Sequence, residues 1–357
     1  MKSPKFKIGT ILNSPKMVVG RVRPAYSSVV IKCPYRLNAM ALDPSLIAIN
    51  DSKIYTPGEI VFPIQLYRIV LVRIRKDSRI NVLPGCSRPQ LAVHAARLMK
   101  RALNTKNGFD ISIKEEVNLN HYGFGSSSGL ISSIAIAINE IYGKPIKNSD
   151  LILYLAQNHG EEIDGNSTEL QHVQCIGGAA AASLVKAGFI VISGESKIIA
   201  KMNISKDLKV VIGIPRNYNP RDSTELIKQE VKNIKKFIET GKKWGTQVAY
   251  QLIHFTLPAM LVGDLKSASK VIYNYRFLYG SIENCSFAYP LVVGIARRIK
   301  KLFLDPKVYT LSLSSVGPAF FAITSDEKKC IKEFSKAGLD CIITKVHNRG
   351  YRVLSKL

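Results

Sequence analysis

Residues 121–130 read His121-Tyr122-Gly123-Phe124-Gly125-Ser126-Ser127-Ser128-Gly129-Leu130, and they fall between a strand-like and a helix-like segment. Upstream, residues 109–115 alternate apolar and polar side chains with the period of a half-buried strand. Downstream, residues 130–141 are rich in Ile and Ala on most faces, the pattern of a buried core helix, which Gly143 and Pro145 stop. Glycines let the backbone turn sharply and approach a ligand closely. The serines bring hydroxyl groups, and the first amides of a helix have no acceptor within it. Loop and helix dipole together make a cradle for an anion. A loop of this composition can also cap its helix without any ligand. No Lys follows the glycines at Walker spacing, and serines fill the spacing that a dinucleotide fingerprint needs.

Residues 67–75 are rich in β-branched side chains and end in charge, a partly exposed strand. Ser87-Arg88-Pro89 opens a helix to about Leu103, with Ser87 as its cap and Pro89 in its first turn. Asn148-Ser149-Asp150 offers caps for a helix to about Asn158. Residues 189–193 and 198–204 flank Gly194 as a hairpin, and 208–214 is a further strand. Helices follow over 223–240, 246–262 and 291–303. Strands over 308–313 and 319–324 enclose a turn at 314–318, before a helix over 326–337 and a strand over 340–346. A β-rich first half and a helix-rich second half predict an α+β protein of two lobes, residues 1–205 and 206–357.

The 357 residues carry 51 Lys and Arg against 26 Asp and Glu, a formal charge of +25, and no acidic residue precedes Asp43. Such a balance implies polyanionic company, either nucleic acid or a ligand with several phosphates. A solvated lysine-rich surface is the plainer account, because the basic residues are spread along the chain. The apolar fraction of 46% and charged fraction of 22% exclude a disordered or collagen-like chain. A chain of this length buries enough surface to need neither disulfide nor structural metal. No apolar run is long enough to span a membrane, and residues 1–16 lack the continuous apolar stretch of a secretory signal. Six scattered cysteines without a CxxC pair predict buried thiols and a cytoplasmic setting, with a Cys330–Cys341 bridge left open by spacing.

Pro34-Tyr35-Arg36-Leu37-Asn38 follows a strand, and Ser314-Ser315-Val316-Gly317-Pro318 joins two strands near the C-terminus. With the loop at 123–129, these segments resemble, in order, the three motifs of the GHMP kinase superfamily: galactokinase, homoserine, mevalonate and phosphomevalonate kinases and their relatives. Arg36 stands where most of those kinases carry Lys, and Ser315 where most carry Gly. The resemblance implies a two-lobed α+β fold with a ribosomal-protein-like N-terminal lobe and a ferredoxin-like C-terminal lobe. It also implies a phosphate- or nucleotide-binding set of Gly123, Gly125, Ser126, Ser127, Ser128, Gly129, Ser314, Ser315 and Gly317.

Further segments resemble one branch of that superfamily, the archaeal β-ribofuranosylaminobenzene 5′-phosphate synthases. They are Pro34-x-Arg36-x-Asn38 with Leu42-Asp43, Pro57-Gly58, Gly188-Phe189-Ile190-Val191, Leu257-Pro258-Ala259 with Gly263-Asp264, the third motif, and Asn348-Arg349-Gly350. Those enzymes join phosphoribosyl pyrophosphate to an aminobenzoate or hydroxybenzoate, releasing pyrophosphate and carbon dioxide, in a pathway to methanopterin-like coenzymes. Asn38 and Gly129 depart from the branch, residues 125–129 are closer to the kinase form, and 161–174 is additional. The resemblance implies a phosphoribosyl transferase first and an ATP-dependent kinase of a small metabolite second; a basic nucleic-acid-binding protein on the same fold is third. A homodimer is open in each case.

Several kinases of the family take the acceptor's proton with an Asp ahead of their Gly-rich strand. From Gly165 to Lys206 this chain has no Asp, and Cys175-Ile176-Gly177-Gly178-Ala179 occupies that place, which weighs against phosphorylation. Displacement of pyrophosphate needs charge stabilisation by Mg2+, amides and cations, for which Arg36, Arg216 and Arg221 are candidates. Asp43 and Glu59 are candidates for holding the ion, Arg36, Asn38 and Asp43 for catalysis, and His121, Gly177, Arg216 and Arg221 for contacting substrate. His121 serves equally well as a turn or core residue. His159-Gly160-Glu161-Glu162 reads as a helix end with a solvated acidic tail rather than a metal site, and His94, His172 and His254 read as packing residues. Cys175 as a nucleophile lacks an identifiable histidine partner. Residues 217–222 form a loop that either lines the substrate site or simply joins the lobes.

Overall fold

The computed structural model describes residues 5–13, 22–42, 58–117, 121–163, 166–173, 175–220 and 222–357. Its first half runs β1 (Lys5–Lys7), β2 (Ser28–Ala41), β3 (Glu59–Arg75), β4 (Ile80–Val82), α1 (Pro89–Ala102), β5 (Gly108–Glu115), α2 (Ser126–Ile141) and α3 (Asn148–Gln157). There follow β6 (Gly160–Ile163), β7 (Asn166–His172), α4 (Gly178–Leu184), β8 (Phe189–Ile192) and β9 (Ile198–Met202). The second half runs β10 (Lys209–Pro215), α5 (Ser223–Gln251), α6 (Leu257–Leu261), α7 (Leu265–Ala268), α8 (Lys270–Phe277), α9 (Ser281–Asn284) and α10 (Val292–Ile299). The last elements are β11 (Val308–Leu313), β12 (Phe320–Thr324), α11 (Glu327–Lys336), β13 (Leu339–Thr344) and β14 (Arg352–Lys356).

β2 and β3 pair along most of their length and anchor a seven-stranded sheet in the order β14-β2-β3-β5-β4, with β8 on the far end of β3 and β9 beside it. One face of that sheet is alternately apolar: Val29 and Ile31 of β2 and Val70 and Val72 of β3 are fully buried. They pack in one cluster with Leu91, Ala95 and Leu98 of α1 and Ile131, Ile134 and Ile138 of α2. The second lobe holds a four-stranded antiparallel sheet, β11-β12-β10-β13. The two-residue period of β10 and β12 divides its side chains. Val211 and Phe320 join α10 and α11, whereas Val210, Ile212, Phe321 and Ile323 turn toward the first lobe and pack with Leu37, Ile60 and Phe62. That shared core holds the two lobes against each other and sets the width of the cleft between them.

The α+β class and most strands and helices agree with expectation; four features differ. Residues 223–251 form one continuous helix rather than two, although Gly241 and Gly245 lie inside it. Each interior glycine costs about 1 kcal/mol against alanine, and packing outweighs it: Trp244 stacks on Tyr279 with ring centroids 4.2 Å apart, and Phe237 and Val248 are buried. Residues 161–163 and 166–172 lie in β6 and β7, which make a small antiparallel sheet with β1. The first motif sits within β2, not after it, because that strand continues to Ala41. β14 crosses back from the second lobe to pair with β2, so the chain's end belongs to the first sheet, which a division at 205/206 leaves out. Among the described residues no helix is long and apolar enough to cross a membrane, and all six cysteines are free thiols.

Candidate active site

The three motif segments converge through Ser314. Its Oγ donates to the Gly123 carbonyl at 2.7 Å and accepts from the Asn38 amide at 3.1 Å. The Ser315 amide donates to the Asn38 carbonyl at 2.9 Å. Backbone crowding explains the glycines. Gly123 has φ +91°, and a Cβ there would lie 2.3 Å from the Ser314 carbonyl oxygen. Gly125, at φ +65°, opens α2 without a side-chain cap, and a Cβ on it would lie 2.9 Å from the Arg36 guanidinium.

Two cavities meet at this junction. The first, about 240 Å3, is lined by the loop at 123–128 with His121, Glu161, Tyr218 and Ser223, and by Gly317 of the third motif. The second, about 160 Å3, is lined by Asn38, Glu59, Cys175, Tyr275, Arg276 and Cys285. Arg36, Glu230, Ser315 and Val316 line both. A larger groove, about 1170 Å3, lies on the first lobe between Lys7, Arg79 and Arg97, away from all three motifs.

Arg36 projects from β2 with Nη1 3.3 Å from the Gly123 carbonyl oxygen, and its Nε is buried with no hydrogen-bond partner. A guanidinium with an unused buried donor is a ready partner for an anion. Behind it, Glu59 accepts from the Gly178 amide at 2.6 Å and from the Asn38 side-chain amide. Burial raises the Glu59 pKa, and Arg36, the Gly178 amide and Asn38 oppose the rise. Burial also pushes the Cys175 thiol up to about 12, so it is no thiolate nucleophile. Arg276 crosses the second cavity's wall to donate to the Ala39 carbonyl at 2.6 Å and to Ser281 at 3.1 Å.

Arg88, which the sequence reading passed over, organises the first cavity. It occupies the N-cap of α1, where Ser87 was the expected cap, and its side chain is almost wholly buried. Nε donates to Glu162 at 2.7 Å, and Nη2 to Glu161 at 3.0 Å and Ser223 at 3.2 Å. Nη1 donates to Ser126 at 3.3 Å and to Ser127. Burial opposes ionisation of Glu161, but Arg88 and the contacts from His159 and Ser127 prevail and hold its pKa down to about 2. The acidic pair after His159 is therefore no solvated tail; it is spent on a buried cation. A cation at a helix N-terminus runs against the helix dipole, and that mismatch is the sequence signal that marks Arg88.

A divalent cation at the phosphate loop would take the hydroxyl and carboxylate of Ser127 and Glu161, and the Arg88 guanidinium already bridges them. Each Glu59 oxygen already accepts a hydrogen bond, with cationic Arg36 beside it. Neither place fits a protein-held Mg2+, and among the described residues no cluster of three or more His, Cys, Asp or Glu could hold a metal. Asp43 and Arg221 lie outside the described residues.

Ser314 is buried as the tie between loops, and Gly129 sits in the first turn of α2 with Arg68 where its Cβ would be. Gly177 takes φ +101° to open α4, next to Cys175 and Ile176 of the second cavity. Arg216 requires correction: it pairs with Asp340 at 3.0 Å on the surface and lines neither cavity, because β10 ends pointing it away from the cleft. His121 reaches Ser223 Oγ at 3.4 Å, and the Tyr218 hydroxyl donates to its carbonyl at 3.3 Å, so Tyr218, from the stretch after β10, lines the site. Several other segments shared with the synthase branch sit elsewhere. Gly188 leaves room for Asn348, whose amide bonds both the Ile204 N–H and C=O at 2.9 and 2.8 Å. Asp264 caps α7, and 257–261 is α6; none of these lines either cavity.

Residues 90–178, from α1 to the start of α4, match the family model for the GHMP kinases N terminal domain. No curated protein matches the chain. Solved structures do. Homoserine kinase from Cytophaga hutchinsonii superposes with a TM-score of 0.59 at 16% identity, over 93% of this chain and 99% of that one. L. major mevalonate kinase, in complex with R-mevalonate, gives 0.58 at 13% identity over 92% and 99%. Lactococcus lactis galactokinase, complexed with galactose, gives 0.62 at 13% identity over 92% and 95%. At such identities the likeness is one of fold. The chain thus has the fold of the GHMP kinases, and the family's N-terminal domain is the part of it that carries the serine-rich loop.

Proposed function

We propose that the protein is a phosphotransferase: it holds the phosphates of ATP in the first cavity and passes the terminal phosphoryl group to a small hydroxyl-bearing metabolite in the second. One observation carries this reading. Arg36, with its buried Nε unpartnered, stands where the two cavities meet. A cation fixed at that point stabilises the charge that spreads over a phosphoryl group in transfer. The cavity volumes, about 240 and 160 Å3, suit a polyphosphate and a small acceptor. The polar walls of the second, Asn38, Glu59 and Arg276, suit an acceptor with hydroxyl or carboxylate groups. The names of the fold relatives, kinases of homoserine, mevalonate and galactose, support the same class. Mg2+ belongs to this proposal as the counter-ion a triphosphate brings with it.

Phosphoribosyl transfer to an aminobenzoate or hydroxybenzoate is the second reading. Of the segments that suggest it, those at the site, around Arg36 and Ser315, resemble the kinases' motifs as well, and those at 188–191, 257–264 and 348–350 line neither cavity, so phosphotransfer is preferred. Calorimetric titration with ATP and with phosphoribosyl pyrophosphate, each with Mg2+, separates the two, and the melting temperature rises with whichever binds. ATP binding, weakened by Arg36→Met, is the expected result. Binding of phosphoribosyl pyrophosphate alone would turn the assignment to the transferase, and binding of neither, with salt-sensitive RNA binding, would overturn both.

A further inference from the structure

Resting on the phosphotransferase reading, we infer that Glu230, on the long helix of the second lobe, is the general base that takes the acceptor's proton. The face of α5 that lines the cleft is formed by Ser223, Leu226, Ile227, Glu230, Ile234 and Phe237, spaced as one stripe of a helix. Four of the six are apolar, and a carboxylate on such a stripe is costly unless something uses it. Glu230 sits on the stripe where the first cavity passes into the second, and of the described residues lining both it alone has a carboxylate to accept a proton. Glu161 lines only the first cavity and is held by Arg88; Glu59 lines only the second and is held by Gly178 and Asn38.

The step balances simply. The acceptor hydroxyl gives its proton to the Glu230 carboxylate as its oxygen bonds the terminal phosphorus. The bond from that phosphorus to the bridging oxygen breaks, and ADP leaves with the electron pair. The proton passes to solvent when the products leave.

The surroundings suit a base that works near neutrality. Burial, and then the negative charge of Glu161 on β6, raise the Glu230 pKa to about 7. Arg36 on β2, Glu59 on β3 and Arg276 on α8 are the other charges on the walls. Cys175 and Cys285 have their thiols raised by burial to about 12 and about 11. Tyr275 lines the second cavity and His121 the first. Histidine as a residue type titrates in the same range as this base, so His121→Gln serves to separate the two.

The test uses the full chain with Mg2+ and ATP. It measures ATP turnover, alone and with a panel of small hydroxy acids and sugars, from pH 5.5 to 9. It also measures proton uptake on ATP binding, by calorimetry in two buffers of different ionisation enthalpy. Turnover at sub-saturating ATP should rise with pH through about 7 and then level, and at saturating ATP the same rise should lie at higher pH. Glu230→Gln should lower it about 10²- to 10⁴-fold and remove that rise, with ATP affinity changed by less than about threefold. His121→Gln should keep the rise. Because the incoming phosphates raise the Glu230 pKa further, ATP binding at pH 7 should take up protons, and Glu230→Gln should abolish most of that uptake. Glu230→Gln turning over within about threefold of wild type overturns the base and leaves the phosphotransferase standing. ATP binding with no proton uptake overturns it too, whether or not any acceptor on the panel is turned over. Failure of the wild type to bind ATP overturns the underlying reading instead.

Discussion

Arg88 Nη2 lies 3.2 Å from the hydroxyl of Ser223, so a guanidinium at the start of α1 reaches the residue that opens α5 in the other lobe. The remaining donors go to Glu161, Glu162, Ser126 and Ser127. A guanidinium has five N–H donors, and all five are used. One buried cation thereby fixes the phosphate loop, the β6 strand and the second lobe's long helix with respect to one another.

Arg88→Met should be among the most destabilising single changes in the site. It leaves Glu161 and Glu162 largely buried, with side chains 19% and 17% exposed and no guanidinium between them. Breaking a buried pair from one side costs about 3–5 kcal/mol. Urea unfolding should show a loss of that size. Adding Glu161→Gln and Glu162→Gln to Arg88→Met should recover most of it, since the uncompensated charges are then gone.

The two loop glycines should respond differently to alanine. Gly125→Ala places a methyl group against the Arg36 guanidinium, the far end of a flexible side chain, and costs about 1–2 kcal/mol for its left-handed backbone. Its main effect should be on ligand: ATP binding should weaken by more than about tenfold as Arg36 shifts. Gly123→Ala drives a Cβ onto the Ser314 carbonyl, which is backbone and cannot swing aside. That change should cost about 3 kcal/mol and lower the melting temperature along with binding.

Acid stability should depend on Glu161. Its folded pKa of about 2 lies below the ordinary glutamate value of 4.5, so the stability it contributes is present above about pH 4.5 and is lost as pH falls toward 2. The contribution is roughly 2 kcal/mol. Unfolding free energy measured from pH 6 to pH 2.5 should fall more steeply for wild type than for Glu161→Gln. Equal slopes would mean that Arg88 does not hold this carboxylate ionised.

The loop and its flanking elements were legible because they depend on short-range rules. Residues 109–115 alternate, 130–141 are apolar on most faces, and Gly123 and Gly125 between them take positive φ, as β5, α2 and the turn show. The convergence of Arg36, the loop and Ser315 came from motif order, and the structure joins them through Ser314. What escaped was what only tertiary packing assembles. Arg88 looked like an ordinary residue beside a helix-opening proline, and its five partners lie 38 or more residues away. Glu161 and Glu162 looked solvated for the same reason. Arg216 erred the other way: a cation at a strand end near the lobe junction resembles a ligand group until the strand's direction is known. Glu230 was within reach, as the one carboxylate in register with Leu226, Ile227, Ile234 and Phe237.

Arg216→Ala should be nearly silent. Its partner Asp340 is 72% exposed, and exposed pairs contribute about 0–1 kcal/mol. ATP affinity and turnover should stay within about twofold of wild type, and the urea midpoint should barely move. A large loss of ligand binding would mean that Arg216 leaves Asp340 and turns into the cleft when ligand is present.

Glu230→Gln should stabilise the protein at alkaline pH. The folded pKa of Glu230 is raised above its unfolded value, so the stability linked to its protonated form is full below about pH 4.5 and lost as pH rises through about 7. Above pH 7 the wild type keeps a desolvated negative charge near Glu161, and the amide removes it. At pH 8 the variant should unfold at higher urea, by roughly 1–3 kcal/mol; at pH 4.5 the two should be nearly equal. A side chain placed only for packing would lose stability on substitution at every pH. Gain of stability above neutrality, together with loss of turnover, is what a strained catalytic carboxylate produces.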